Sequence, residues 1–296
     1  MDLDGLDPVA ILETLGVEGG VAVARVLGGW DTALWRVGHA GSVWALRVFR
    51  AEQVETCRRE VVTMRAVASV GIPVPAIHRE ATWRGHPVLL LSWCDGRPLL
   101  TELLARPWQA WALGRAFGQL QARIHAVPPP EGLRGWDEAW IRWVGGGEAE
   151  LLERLRAIAP RWGALMHLDY HPLNVMTDRR RVSGVLDWAN AAAGDPRLDV
   201  ARTVTILRLA PTPPTGSLGL ARPLRRAFEL SWRRGYQQTS GPLSNMPLFY
   251  AAAGAIMERD LAPKVGRPGI WLKPAHLDQV RRWTTRWKKQ IGIARQ

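Results

Sequence analysis

The hydrophobic period of this chain changes at Asp95-Gly96, and that change limits the architectures open to it. Upstream, runs rich in Val, Leu and Trp cover 21–27, 32–37 and 42–49, separated by Gly28-Gly29 and by Gly38-His39-Ala40-Gly41. Such punctuation between short apolar runs predicts three antiparallel strands joined by hairpins. Val54, Cys57, Val61, Met64 and Ala68 then recur at three- and four-residue steps until Gly71 and Pro73. This spacing predicts a helix with one buried stripe, and 87–93 reads as a further strand. Downstream, Leu113, Phe117, Leu120 and Ile124 form a helical stripe that stops before Pro128-Pro129-Pro130. Further helices are expected over about 137–159, 197–209, 224–237, 248–260 and 276–291, with a loop at Pro211-Thr212-Pro213-Pro214 and a hairpin-like interruption over 164–187. The pattern gives an α+β chain in two parts, a sheet with one helix over 1–94 and a mainly helical part over 95–296.

A chain of 296 residues has ample apolar content for such a core. Its two cysteines, Cys57 and Cys94, allow at most one disulfide, so the fold rests on packing, and a reducing cytoplasm is the expected compartment. The first eight residues carry three Asp and no basic cluster, and no apolar run approaches the ~18 residues of a membrane span. Neither secretion nor membrane insertion is expected. The formal net charge is +12, and from Val200 onward 17 Lys and Arg stand against 4 Asp and Glu. Those basic residues are spread over several helical segments without a reading motif, so solvated helix faces account for them better than nucleic-acid binding does. All four Lys fall at or after Lys264; earlier in the chain, any role usually given to Lys must fall to Arg.

The densest chemical signal lies in the hairpin-like interruption. His167, Asp169 and Asn174 stand in the spacing H-x-D-x-x-x-x-N, and Asp187 follows thirteen residues after Asn174 within Leu-Asp-Trp. Phosphoryl transfer from ATP needs a carboxylate near the attacking hydroxyl, and an amide with a second carboxylate to hold magnesium over the phosphates. Asp169 is the candidate base, and Asn174 and Asp187 supply hard oxygen ligands suited to Mg²⁺. His167 and His171 have a rival reading as transition-metal ligands, but His39, His78, His86, His125 and His276 fall in no ligand-like spacing. A structural role for His167, holding the loop in shape, is the simpler expectation.

Arg47 shares a strand face with Val43, Ala45 and Phe49. A cation on an otherwise apolar face needs a partner, and Glu60 on the following helix is the natural one. The alternative is an exposed strand Arg. Gly28-Gly29 is by itself an ordinary turn, although glycines also let backbone amides approach phosphate. Gly194-Asp195-Pro196 reads as a capped helix start, with Asp199 in its first turn where a carboxylate favours the helix dipole. Trp283 and Trp287, four apart among basic residues, suit docking of a terminal helix better than a membrane surface.

Taken together, these residues resemble the aminoglycoside phosphotransferase and choline kinase-like family of small-molecule kinases. The resemblance runs in order from about Val21 to Arg208: Gly28-Gly29-Trp30-Asp31-Thr32, Leu46-Arg47, Glu60, Gly71-Ile72-Pro73-Val74-Pro75, Leu91 to Arg97, His167 to Asn174, Val185 to Trp188, and Gly194 to Asp199. It implies the protein kinase-like two-lobed fold, with ATP and Mg²⁺ held between the lobes and a small-molecule hydroxyl as acceptor. It also implies that Gly28 and Gly29 cover the nucleotide, that Arg47 and Glu60 serve its phosphates, and that the backbone of Ser92, Trp93 and Cys94 meets adenine. Two positions depart from the family pattern, Leu168 where many relatives have Gly and Arg47 where many have Lys. The basic last third argues against a polycationic acceptor and for a smaller neutral or anionic one. A catalytically silent nucleotide-binding module of the same shape is the alternative.

Overall fold

The computed structural model describes residues 3–26, 32–134, 141, 143–145, 147–158, 163–179, 181–210, 222–267 and 272–293. The expected Gly28-Gly29 hairpin, the Pro211–Pro214 loop and the start of the 137–159 helix lie outside the described residues.

Five antiparallel strands form the first sheet: β1 (Ala22–Arg25), β2 (Ala33–His39), β3 (Ser42–Val48), β4 (Ile77–Trp83) and β5 (His86–Ser92), in spatial order β1-β2-β3-β5-β4. Alternation along the strands gives the sheet two apolar faces. Leu46, Val48, Val88 and Leu90 point to one face and pack with Ile11 and Leu12 of α1 (Pro8–Thr14). Phe49, Leu89 and Leu91 point to the other and join Cys57, Val61, Met64 and Val67 of α2 (Val54–Ser69). Neither α1 nor β4 was expected from periodicity. The first has only two turns, although Asp7 caps it by accepting from Val9 N–H at 2.9 Å, with Pro8 in the opening turn. The second is an edge strand whose His78, Arg79 and Glu80 are exposed and whose register slips between Ile77 and Arg79, so it shows no clean alternation.

Beyond the linker come β6 (Arg97–Pro98), α3 (Leu99–Ala105), α4 (Ala110–His125), α5 (Glu131–Arg134) and α6 (Ala149–Ala157). Next are β7 (Ala164–Met166), β8 (Val175–Thr177), β9 (Val182–Val185) and β10 (Ala192–Gly194), followed by α7 (Pro196–Leu209), α8 (Arg222–Ser240), α9 (Met246–Leu261) and α10 (Pro274–Gln290). β7 pairs with β10, and β8 lies between β6 and β9. The loop between β7 and β8 and the segment after β9 therefore emerge side by side.

Helices α4 and α8 are pressed together at glycines. A methyl group on Gly118 would sit 2.0 Å from the carbonyl oxygen of Trp232, and one on Gly235 would sit 2.2 Å from that of Arg115. Such an approach leaves no room for any side chain at these positions. Helix α10 docks on α9, where Trp283 Nε1–H donates to the carbonyl of Tyr250 at 3.0 Å and the Trp287 ring lies 4.8 Å from that of Tyr250. The tryptophan pair thus serves the fold. Among the described residues no helix is long and apolar enough to cross a membrane.

Candidate functional site

The loop after β7 is held by hydrogen bonds to its own backbone. His167 is fully buried, its ring tilted against that of Trp188 with centroids 4.5 Å apart. Its Nδ1 accepts from Asp169 N–H at 3.3 Å, so its Nε2–H is the donor to the Leu186 carbonyl at 3.0 Å. Burial lowers the pKa of this imidazole against the pull of Asp199, Asp169 and Asp187, which keeps it neutral. His167 is therefore a strut between the two segments that carry the acidic side chains.

Asn174 Nδ2 donates to the Asp169 carbonyl at 3.0 Å and to Asp169 Oδ2 at 3.1 Å. Both contacts use the amide nitrogen and leave the Asn174 side-chain oxygen as a free acceptor. Leu186 N–H donates to the Asn174 carbonyl at 2.8 Å, which brings the next residue, Asp187, beside this pair. Asp187 has a left-handed backbone, φ 61°, and its half-exposed carboxylate accepts from Arg47 Nη2 at 3.2 Å. Asp169 is held at about 2; burial works to raise it and is outweighed by the hydrogen bond and charge of His171 and then by the charge of Arg202. A carboxyl so depressed is ionised at neutral pH, as a proton acceptor must be.

Arg47 joins the sheet to this loop. Its Nη1 donates to Glu60 at 2.5 Å and its Nε to Thr32 Oγ1 at 3.3 Å, in addition to the Asp187 contact. Burial pushes the Glu60 carboxyl up to about 7, against the attraction of Arg47 and a backbone N–H from Trp188. The guanidinium itself stays charged. A planar fork can meet three partners at once, which a single ammonium cannot do with the same geometry.

The linker side chains are turned to structural use. Ser92 Oγ accepts from Ala76 N–H at 2.8 Å, and the Arg36 guanidinium lies 5.6 Å from the Trp93 ring. Cys94 packs on Gly184, where an added methyl would come within 2.4 Å of its sulfur. What this stretch offers a ligand is backbone. Burial pushes Cys94 up to about 11 and Cys57 to about 12, so neither thiol is poised as a nucleophile. A concavity of about 900 Å³ opens beside the linker, bordered by Ser92, Trp93 and Cys94 together with Pro73, Arg123 and Arg181, and none of Arg47, Asp169, Asn174 or Asp187 lines it. The acidic constellation lies outside this hollow, so of the described candidate residues the linker stretch alone borders it.

Asp199 has a second role that the sequence does not show. The first turn of α7 is capped by Asp195, which accepts from Arg197 N–H at 2.9 Å, whereas the Asp199 carboxylate turns into the core. It accepts from Leu168 N–H at 2.7 Å, His167 N–H at 3.3 Å, His125 Nε2 at 2.7 Å and Gln121 Nε2 at 3.3 Å. Standing in the first turn as expected, this side chain also holds up the Asp169 loop, and its neighbour Arg202 donates to the Leu168 carbonyl at 2.9 Å. Their three-residue spacing puts both on one face of α7, a relation that could be read from the sequence once the loop was known to lie there.

Among the described residues no group of three or more His, Cys, Asp and Glu side chains is arranged to hold a metal. The Asn174 side-chain oxygen and the Asp187 carboxylate are hard oxygen donors, the ligand chemistry that Mg²⁺ takes.

Residues 22–239 match the phosphotransferase enzyme family. Viomycin phosphotransferase of Streptomyces vinaceus is 28% identical over 171 residues, covering 49% of this chain and 60% of the relative. Acyl-CoA dehydrogenase family member 10 of Mus musculus is 27% identical over 173 residues, covering 48% of this chain but 16% of the relative. The match thus spans less than two thirds of either relative. Among solved structures, a thermostable mutant of aminoglycoside phosphotransferase APH(4)-Ia, in ternary complex with AMP-PNP and hygromycin B, superposes with TM-score 0.63 at 14% identity over 95% of this chain and 97% of that one. That likeness establishes the protein kinase-like, two-lobed α+β fold. With the family matched over most of its length, this chain belongs to the phosphotransferase enzyme family.

Proposed function

We propose that this chain is an ATP-dependent phosphotransferase that moves the terminal phosphoryl group to a hydroxyl of a small molecule. The observation that carries the reading is the meeting of Asp169 with Asn174 at 3.1 Å, beside an Asp187 that Arg47 contacts at 3.2 Å. In this reading Asp169 orients the acceptor hydroxyl and takes its proton. Asn174 and Asp187 would hold Mg²⁺, which supplies charge neutralisation on the phosphoryl oxygens. Arg47, kept in place by Glu60, faces the phosphates, which Gly28 and Gly29 would cover. Adenine lies against Ser92, Trp93 and Cys94 and is met by their backbone, since the Ser92 hydroxyl is already engaged. The nucleotide lobe would comprise 1–94 and the acceptor lobe 95–296.

The acceptor is a neutral or anionic hydroxyl compound, on the ground that 17 basic against 4 acidic residues from Val200 onward disfavour a polycation. ATP consumption measured against a library of hydroxyl compounds tests the reading. Turnover with at least one acceptor that disappears in Asp169→Ala is expected. ATP binding without turnover on any acceptor would favour a silent nucleotide-binding module instead.

A further inference from the structure

Leu168, the residue before the candidate base, has a backbone conformation that suits glycine. Its φ is 62°, in the left-handed region, and its side chain is 1% exposed, so neither the backbone nor the packing leaves it free to relax. Both polar groups of its backbone are gripped by one face of α7. The N–H donates to Asp199 Oδ1 at 2.7 Å and the carbonyl accepts from Arg202 Nε at 2.9 Å. The next amide, Asp169 N–H, donates to His167 Nδ1 at 3.3 Å. The peptide plane between Leu168 and Asp169 is therefore held at its oxygen by Arg202 and at its hydrogen by His167, and the tilt of that plane sets where the Asp169 side chain leaves the backbone.

Arg202 is itself tightly fixed. It is 6% exposed, its guanidinium lies 4.4 Å from the Trp143 ring, and its Nη1 stands 3.6 Å from Asp260 Oδ2. Nη1 is buried without a hydrogen bond. The Trp143 ring and Asp260 thus anchor the head of the side chain while Nε meets the Leu168 carbonyl.

We propose that Arg202 is a positioning residue for Asp169: it locks the Leu168–Asp169 peptide so that a leucine keeps the turn a glycine would adopt unaided. The proposal rests on the reading of Asp169 as the base, and one of its readouts does not. Arg202→Gln places an amide nitrogen where Nε stands, whereas Arg202→Met has similar reach and no donor. In the nucleotide-free protein, hydrogen exchange of the Leu168 and Asp169 amides is expected to rise about tenfold in Arg202→Met and to stay near wild type in Arg202→Gln. With Mg²⁺, ATP and an acceptor from the library, Arg202→Met is expected to lose ~100-fold in kcat with KM for ATP within about twofold, and Arg202→Gln to keep most of the rate. Adding Leu168→Gly to Arg202→Met should recover about tenfold in kcat, since glycine needs no clamp.

Equal losses in the Gln and Met variants, or no recovery with Leu168→Gly, would overturn the proposal. If Arg202→Met does not fold, the double variant takes its place and is expected to fold; its failure to do so counts against the clamp. Should Asp169→Ala leave turnover intact, the role of the base falls, while the exchange comparison still decides whether Arg202 holds the peptide.

Discussion

Arg47 and Asp187, 140 residues apart in sequence, meet at 3.2 Å, and the same guanidinium holds Glu60 at 2.5 Å on its other nitrogen. The contact closes the sheet onto the loop segment that follows β9. With no Lys before position 264, a two-pronged cation fills the place where a lysine is usual, giving each carboxylate its own nitrogen.

Replacing this residue therefore has two separable outcomes. Arg47→Met leaves the Glu60 carboxyl, 1% exposed, without its cation and should destabilise the fold by about 3 kcal/mol in urea unfolding. Arg47→Lys keeps the charge but loses the planar fork that ties Glu60, Asp187 and Thr32 together, and should weaken Mg²⁺·AMP-PNP binding about tenfold. Calorimetric titration of that variant with unchanged affinity would show that the fork is irrelevant to the nucleotide.

For Asp169 the expected signature is a loss of rate without a loss of binding. Asp169→Ala should reduce kcat by about 10²–10⁴ with AMP-PNP affinity within about twofold. Asn174 Nδ2 also loses its partner at Asp169 Oδ2 but retains the Asp169 carbonyl at 3.0 Å, so the amide should keep its place. A variant that retained full turnover would remove Asp169 from the role of base.

Much of this arrangement is legible in the sequence, for identifiable reasons. The strands β2, β3 and β5 alternate between two packed faces, α2 and α4 carry apolar stripes, and all of them show in the periodicity. Asp169, Asn174 and Asp187 are legible because their spacing has few structural explanations. What stays hidden is whatever has an adequate local account. Asp199 sits where a helix start welcomes a carboxylate, yet its partners His125 and Gln121 lie 74 and 78 residues away. Strand β4 faces solvent over three consecutive residues, and no hydrophobic period reports an edge whose partner supplies all the burial. Arg202 looks like one more basic residue in a basic third of the chain until Leu168 is seen to need it.

The contact between α4 and α8 offers a test of the fold that leaves the site alone. Gly118→Ala drives a methyl group to 2.0 Å from the Trp232 carbonyl oxygen, where backbone and not a flexible side chain must move. The two helices should separate locally at a cost of about 1–3 kcal/mol. Urea unfolding should report that loss while AMP-PNP affinity is unchanged, because neither residue belongs to the nucleotide cleft. A variant as stable as wild type would mean that the helices are not packed at this distance.

Acid sensitivity follows from the same carboxylate that serves as the candidate base. Asp169 is held at about 2, below its ordinary 3.8, because the hydrogen bond and charge of His171 outweigh burial. A carboxyl whose pKa falls on folding binds fewer protons in the folded state, so its contribution is present above about pH 4 and is lost as pH falls through about 2. The contribution is about 2 kcal/mol at neutral pH. Asp169→Asn cannot ionise and gains nothing from this window. The difference in unfolding free energy between wild type and Asp169→Asn should therefore be widest above pH 4 and close toward pH 2, measured by urea titration at a series of pH values. A difference that stayed constant across that range would mean that Asp169 is not depressed, and that His171, 3.6 Å from its Oδ2, does not favour the ionised form.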